Sequence, residues 1–408
     1  QTRLAEWLAY HLSCFDFQWP WERWAHVLEK PASDGQRRFC MAVLSRILRL
    51  SYHEKVVQSV PESFGPLLPP APVPQPLEVP MVEVPGDVPG AAGGAEEARC
   101  VEMLGMVRGK VPAEGMLEWI QEQRLADELG PLGLLGMVLR VLLVAGSKSF
   151  THTLIALERY EDVLRHLLAQ ETEGAEDCLV SVAAKVWVSS PQRAAIAIDR
   201  LMGMRLVQGS TVVRWVFSSR GMKSVDDELA KGLAWEALIN CTNKMIARAG
   251  DENDDLVAIN AELAKALDAA AKAKQGVEDA TMADGTVTGR LSMFQEREAE
   301  ANAHVTEMEQ HKAEKLVAVA EADRLRDEHL LDVFKAFADL LHGELLGGDS
   351  DSQDRPAWVE AAIASLRAFA RCYHVHVAPV ASLLLGEVLA EGQVPPLLRS
   401  TVMDALQT

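Results

Sequence analysis

The chain has 408 residues, of which 49% are hydrophobic, and it carries 40 lysines and arginines against 59 aspartates and glutamates, a net charge of −19. That length and apolar content exclude wholesale disorder and leave room for two or three domains. The negative balance excludes a nucleic-acid surface built on clustered cations, so RNA would have to be met through a basic partner.

The first residue is Gln1 and not methionine, as expected of a piece of a longer protein, so the absence of a targeting signal here means little. Residues 1–60 read as helix. TRLAEWLAYHLSCF sets Leu4, Trp7, Leu8, His11 and Leu12 at the steps of one helical face. WPWERWAHVLEK restarts after Pro20, and QRRFCMAVLSRILRLSYHEKVV brings Phe39, Val43, Ile47 and Leu50 into line. From Pro61 to Glu97 the composition turns to proline and then glycine, which predicts an extended, partly polyproline linker that moves freely. Its PPAPVPQP string reads either as a spacer or as a ligand for an SH3- or WW-type groove.

Helical periodicity resumes near Ala98. LGPLGLLGMVLRVLLVAG is interrupted by glycine, proline and Arg140, and it reads as a buried helix, not a membrane span, so no membrane partner is expected. SFTHTLIALERYEDVLRHLLAQ stripes Leu154, Leu157, Val163 or Leu164, and Leu167 along one face. In KVWVSSPQRAAIAIDRLMGMRLV one helix ends near Trp187, Ser190 stands as N-cap and Pro191 opens the next, which makes an antiparallel hairpin. Ser210 reads as a second cap before VVRWVFSS. Residues 251–330 are different. Leu256, Ile259, Leu263, Ala266 and Ala270 alternate three and four apart, and Phe294, Ala301, Val305, Met308, Leu316 and Val319 trace a narrow seam on a polar rod. This predicts an antiparallel coiled-coil arm with an imperfect heptad. Strand signals are almost absent, so the expected fold is all-α: a superhelix of antiparallel helix pairs with the coiled coil inserted.

Residues that carry chemistry are scarce. Six cysteines (Cys14, Cys40, Cys100, Cys178, Cys241, Cys372) lack CxxC spacing and read as reduced thiols. Cys372, His374 and His376 lie close in sequence, but histidines two apart on a helix face different ways, so no metal site is predicted. Ser149 and His152 sit one helical step apart without a third orienting group or an elbow motif, so Ser149 reads as a cap. PGAAGGAEEA ends in acid, not in the lysine of a phosphate loop. The aromatic run Phe15, Phe17, Trp19, Trp21 and Trp24 has Arg23 as its single cation, and it fits helix packing better than base stacking. No catalytic residue, cofactor or metal is assigned, and the chain reads as a scaffold and not an enzyme.

Several strings together resemble the large subunits of the nuclear cap-binding complex. QTRLAEWLAYHLSCFDFQWPWERW and RLSYHEKVV are similar to the end of that family's second helical domain. AGSKSFTHTLIALERY and KVWVSSPQRAAIAIDRLMGMRLV with VVRWVFSS are similar to its third, and the charged rod stands where the family inserts a long coiled coil. The resemblance implies domains like the middle domain of initiation factor 4G. Residues 1–60 would close the second domain, 61–97 would be a linker peculiar to this chain, and 98–408 would form the third domain, with 251–330 inserted. It further implies a non-catalytic nuclear scaffold, shuttling to the cytoplasm. Such a scaffold supports a small RRM-containing subunit that holds the 7-methylguanosine cap and meets capped RNA only through it. Partners in RNA processing, splicing, export and nonsense-mediated decay are implied too. Candidate partner contacts are Tyr52 and His53, which leave the face of a leucine stripe, and the local basic group Arg214, Arg220 and Lys223. An ordinary helix end and solvated loop charges explain the same residues. A coiled-coil tether, or another helical scaffold of translation or decay, is the rival reading.

Overall fold

The computed structural model describes residues 2–77, 93–170, 172–218, 228–282, 289–346 and 356–407. Among the described residues every regular element is helical, and the isolated backbone bridge between Glu391 and Val394 does not extend into a strand. The all-α expectation is met. Contacts divide the chain into one unit of Gln1–Gln208 with Ser224–Ala237 and another of Gly209–Lys223 with Leu238–Thr408.

The first unit begins with α1 (Thr2–Cys14), a 3-10 turn (Trp21–Val27), α2 (Gly35–Arg49), α3 (His53–Ser59) and a second 3-10 turn (Glu62–Leu67). Their shared core holds Ala5, Leu8, Leu12, Trp21, Val43 and Phe64. The α1 stripe is rotated from the one expected. Ala5, Leu8, Ala9 and Leu12 turn inward, while Leu4, Trp7 and His11 face out. The helix is apolar on two sides, so periodicity alone allowed either phase. Likewise Val43 and Ile47 of α2 are buried, whereas Leu50 closes the helix from an exposed position. The aromatic run packs as expected except at Phe15, which is 59% exposed: Phe17 and Trp21 are buried, and Trp24 meets Trp19 and Trp21 edge-on at 5.6 and 5.9 Å.

The proline-rich stretch is not a free spacer where it is described. Phe64 and Leu67 are buried in the core of residues 1–68. Residues 69–77 form no regular element, turn tightly where the Val73 N–H donates to the Ala71 carbonyl at 2.8 Å, and have their backbone tied to other parts of the unit. Residues 78–92 lie outside the described set. Helix α4 (Gly93–Arg108) follows, then α5 (Ala113–Glu122), α6 (Leu125–Ala145), α7 (Phe150–Arg159), α8 (Glu161–Leu168), α9 (Ala175–Val186) and α10 (Pro191–Gly203).

Helix α6 is long and apolar enough to cross a membrane by composition, but its run from Leu134 to Leu143 is buried against α4, α7 and α9. It bends at Gly130, which adopts φ 70° before Pro131. Gly146 ends it where a β-carbon would stand 2.4 Å from the Thr153 backbone, so only glycine lets α7 fold back this closely. The Thr153 hydroxyl then donates to the Gly146 carbonyl at 2.9 Å. Those contacts explain the GSKSFTH string, with Ser149 capping α7 through the His152 amide.

In the α9–α10 hairpin, Ser190 holds the N-cap position and Pro191 opens α10, although the Ser190 side chain makes no capping bond. Trp187 is 1% exposed. The guanidinium of Arg193 lies 4.8 Å from its ring and 5.3 Å from that of Phe150.

The second unit contains α11 (Gly209–Val216), α12 (Glu228–Met282) from Leu238 onward, α13 (Gly289–Leu346), α14 (Ala357–Cys372), α15 (His374–Val377) and a closing helix Pro396–Leu406. Ser210 lies inside α11 and does not cap it. In the arm, Ile259, Leu263, Ala266 and Met308 form one small core with Val305 against it. The heptad is more regular than the sequence suggests, because polar residues occupy seam positions. Lys315 sits in the seam and bridges Glu252 and Asp255, each at 2.6 Å, while neighbouring Leu316 is 46% exposed. Lysine reaches out of a seam along its own aliphatic stem, a substitution that hydropathy cannot foresee.

Candidate partner-binding surface

At the α2–α3 corner the chain exposes large apolar side chains, Leu50, Tyr52 and Val57. Asp34 caps α2 by accepting the Gln36 and Arg37 amides at 2.8 and 3.2 Å. The Arg37 amide holds its carboxyl below the ordinary carboxylate range. Helix α2 buries Cys40, Val43, Leu44 and Ile47 and ends at Leu50. Tyr52 then takes an extended backbone and leaves its ring 74% exposed, beside exposed Leu50 and Val57. His53 opens α3, with Nε2 3.3 Å from the Pro69 carbonyl. It serves the fold's own proline segment.

The predicted basic group is only partly visible. Arg214 is exposed on α11 between buried Val213 and Trp215, with Nη2 3.3 Å from the Thr211 hydroxyl. Arg220 and Lys223 lie outside the described residues. Tyr52 and His53 belong to the first unit and Arg214 to the second.

Sequence reasoning missed two further exposed or polar groups. On α1 the rings of Trp7, His11 and Phe15 form a ladder, with centroids 5.4 and 4.8 Å apart, and Trp7 is 61% exposed. The i, i+4, i+8 spacing is the available signal, whereas the sequence reading sets Trp7 and His11 on the stripe of Leu4, Leu8 and Leu12 and leaves Phe15 to the aromatic run. In the second unit His329 is buried, with Nε2 2.9 Å from the Thr242 hydroxyl, and Gly209 leaves room for its ring. Burial pushes His329 down to about 4, so the ring is neutral at pH 7. The Tyr373 hydroxyl donates to Asn243 at 2.8 Å in the same unit. His329, Thr242 and Tyr373 are buried, while Asn243 is exposed, and these bonds join helices.

Among the described residues no three histidine, cysteine, aspartate or glutamate side chains converge as a metal site would require. All six cysteines are free, and Cys40, Cys100 and Cys241 are buried. A hollow of about 660 Å³ in the first unit is lined by Trp24, Phe39, His26, Lys30 and Leu4 among others, and contains no nucleophile with a base beside it.

A family profile described as MIF4G like matches residues 95–378, and a second of the same description matches residues 1–62. The chain belongs to the MIF4G-like family. Within the MIF4G-like proteins it is 30% identical over its full length to Nuclear cap-binding protein subunit 1 of Arabidopsis thaliana, covering 52% of that protein. It is 32% identical to the protein of that name from Oryza sativa over 86% of the chain and 40% of the relative. Against the one from Aedes aegypti it is 28% identical over 94% of the chain and 46% of the relative. The chain thus spans about half the length of the curated relatives it matches.

Proposed function

We propose that this chain forms part of a non-catalytic scaffold subunit of a nuclear cap-binding complex. The observation that carries the reading is the identity of about 30%, sustained over the chain, with relatives named as subunit 1 of that assembly. In this reading residues 1–60 end one helical domain, and 98–408 form another with the arm inserted. The scaffold holds a small RRM-containing subunit in the shape that grips a 7-methylguanosine cap, and thereby serves RNA processing, export and decay from the nucleus. Ordering the partner's loops beforehand removes that entropy cost from cap binding. The net charge of −19 supports the division of labour, since this surface repels phosphate over most of its area.

Tyr52 and the Arg214, Arg220 and Lys223 group are the contacts this reading assigns to partners. Tyr52 suits the role because it is 74% exposed at the start of α3 and adds nothing to the core. His53 orients the same corner through Pro69.

The test is co-purification of the chain with a small RRM-containing cap-binding subunit, followed by binding to a capped oligonucleotide. The pair should bind the cap and the isolated chain should not. Tight cap binding by the chain alone refutes the reading. Y52A combined with R214A should weaken capture of the small subunit at least tenfold without lowering the melting temperature.

The two long helices favour one second reading, a tether working through its arm. Replacing residues 260–307 by a short Gly-Ser turn separates the two. A scaffold still recruits the small subunit, and a tether loses its activity.

A further inference from the structure

The proline-dense segment at residues 69–77, PPAPVPQPL, is left unused by the function proposed above, yet the fold holds it tightly. Prolines at 69, 70, 72, 74 and 76 leave backbone N–H groups only at Ala71, Val73, Gln75 and Leu77. Four contacts from elsewhere in the first unit fasten its main chain, one of them the His53 ring with Nε2 3.3 Å from the Pro69 carbonyl. The Ser189 hydroxyl donates to the Val73 carbonyl at 2.8 Å, and the Gln75 N–H donates to the Val186 carbonyl at 2.8 Å. Arg140 Nη2 donates to the Pro76 carbonyl at 2.5 Å.

Arg140 is the informative partner. It is 1% exposed, in the middle of the apolar run of α6. A guanidinium taken that far from water is costly unless acceptors meet it, and a charge-assisted bond to a carbonyl is among the stronger ways of meeting it. Here a residue of the proline segment supplies one such acceptor. The last residue of α9 adds an acceptor at Val186 and the turn after it a donor at Ser189, three residues on. Together they read main-chain atoms and make no demand on the ligand's side chains.

We propose that the surface formed by α6 and the end of α9 is a peptide groove for proline-alternating segments. Residues 69–77 fill it in cis, and a like segment of a partner protein competes for it. Alternating prolines fix φ near −65° and confine the intervening residues to extended geometry, so such a ligand arrives already shaped. The groove sets one sequence rule. The residue in the place of Gln75 must keep its N–H to satisfy Val186, whereas the places of Val73 and Pro76 need only a carbonyl.

The experiment uses the full chain with residues 69–77 replaced by glycine and serine, titrated with fluorescein-labelled PPAPVPQPL and read by anisotropy. Saturable binding is expected, at least tenfold tighter than to the unaltered chain, whose groove is occupied. A peptide carrying Gln75→Pro should bind at least tenfold more weakly than one carrying Gln75→Ala. S189A, a change at an exposed position, should weaken binding severalfold at an unchanged melting temperature, and R140M should weaken it more. Absence of saturable binding overturns the proposal, as does equal affinity for the Pro and Ala peptides. In the otherwise unaltered chain, Gln75→Pro should open the segment to proteolysis while Gln75→Ala leaves it protected. Equal cleavage of the two overturns it independently of how the replaced chain folds.

Discussion

The α6–α10 hairpins and the α12–α13 arm are both helix pairs, yet they differ in how much of each helix is covered. In the hairpins, α6 alone buries ten consecutive residues, from Leu134 to Leu143. In the arm, burial narrows to single positions such as Ile259, Leu263, Ala266 and Met308, with Lys315 taking a seam place beside two acids. The wide interface rests on close packing, where one lost ring leaves a cavity. The narrow one rests on many small contacts and ion pairs, and it tolerates polar residues because water is always near. Such a difference in covered width should translate into a difference in sensitivity.

The largest effect is expected at Trp187. W187A should cost about 3–5 kcal/mol in urea unfolding, since it empties a buried site and removes the plane on which Arg193 rests. An unchanged unfolding midpoint would break the contrast at once. Next comes pH. His329 is held neutral in the fold at about 4, against an ordinary value near 6.5, so between these values the unfolded chain binds the extra proton. The second unit should therefore lose about 2 kcal/mol as pH falls from roughly 7 to 5, and that slope should vanish in H329Q. In the arm, M308A should cost only about 1–2 kcal/mol, below the roughly 2–5 of a fully enclosed methionine, and hydrogen exchange should place the loss in the arm. L316Q should change stability by less than about 0.5 kcal/mol, because Leu316 faces solvent. A larger loss would show that the seam runs through Leu316 and not Lys315.

What could be read from the sequence follows the range of the forces involved. Helix starts were legible because capping and proline act within one turn. Ser149 does cap α7, and Pro191 does open α10. The phase of a helix was less legible where both sides are apolar. Leu4 and Trp7 were placed inward and face outward, because Ala5 and Ala9 permit the closer approach. In the arm the error ran the other way, since a lysine in the seam looks like a surface residue. That the proline segment is not helical is legible from composition alone. Its docking depends on Arg140, 64 residues away, and nothing local in PPAPVPQP announces that contact. Of the candidate contacts, Tyr52 is exposed as a partner residue must be, while the bond from His53 to Pro69 depends on that same distant packing.

Helix α13 runs unbroken from the far part of the arm into the base of its unit, and neither glycine nor proline occurs between Arg290 and His342. A rod of this kind has no built-in joint. From Phe294 to Leu330 it spans about 54 Å at roughly 1.5 Å per residue. Anything that grips its far end therefore works a lever, and the torque arrives undiminished at Phe334 and Phe337, where the base is anchored.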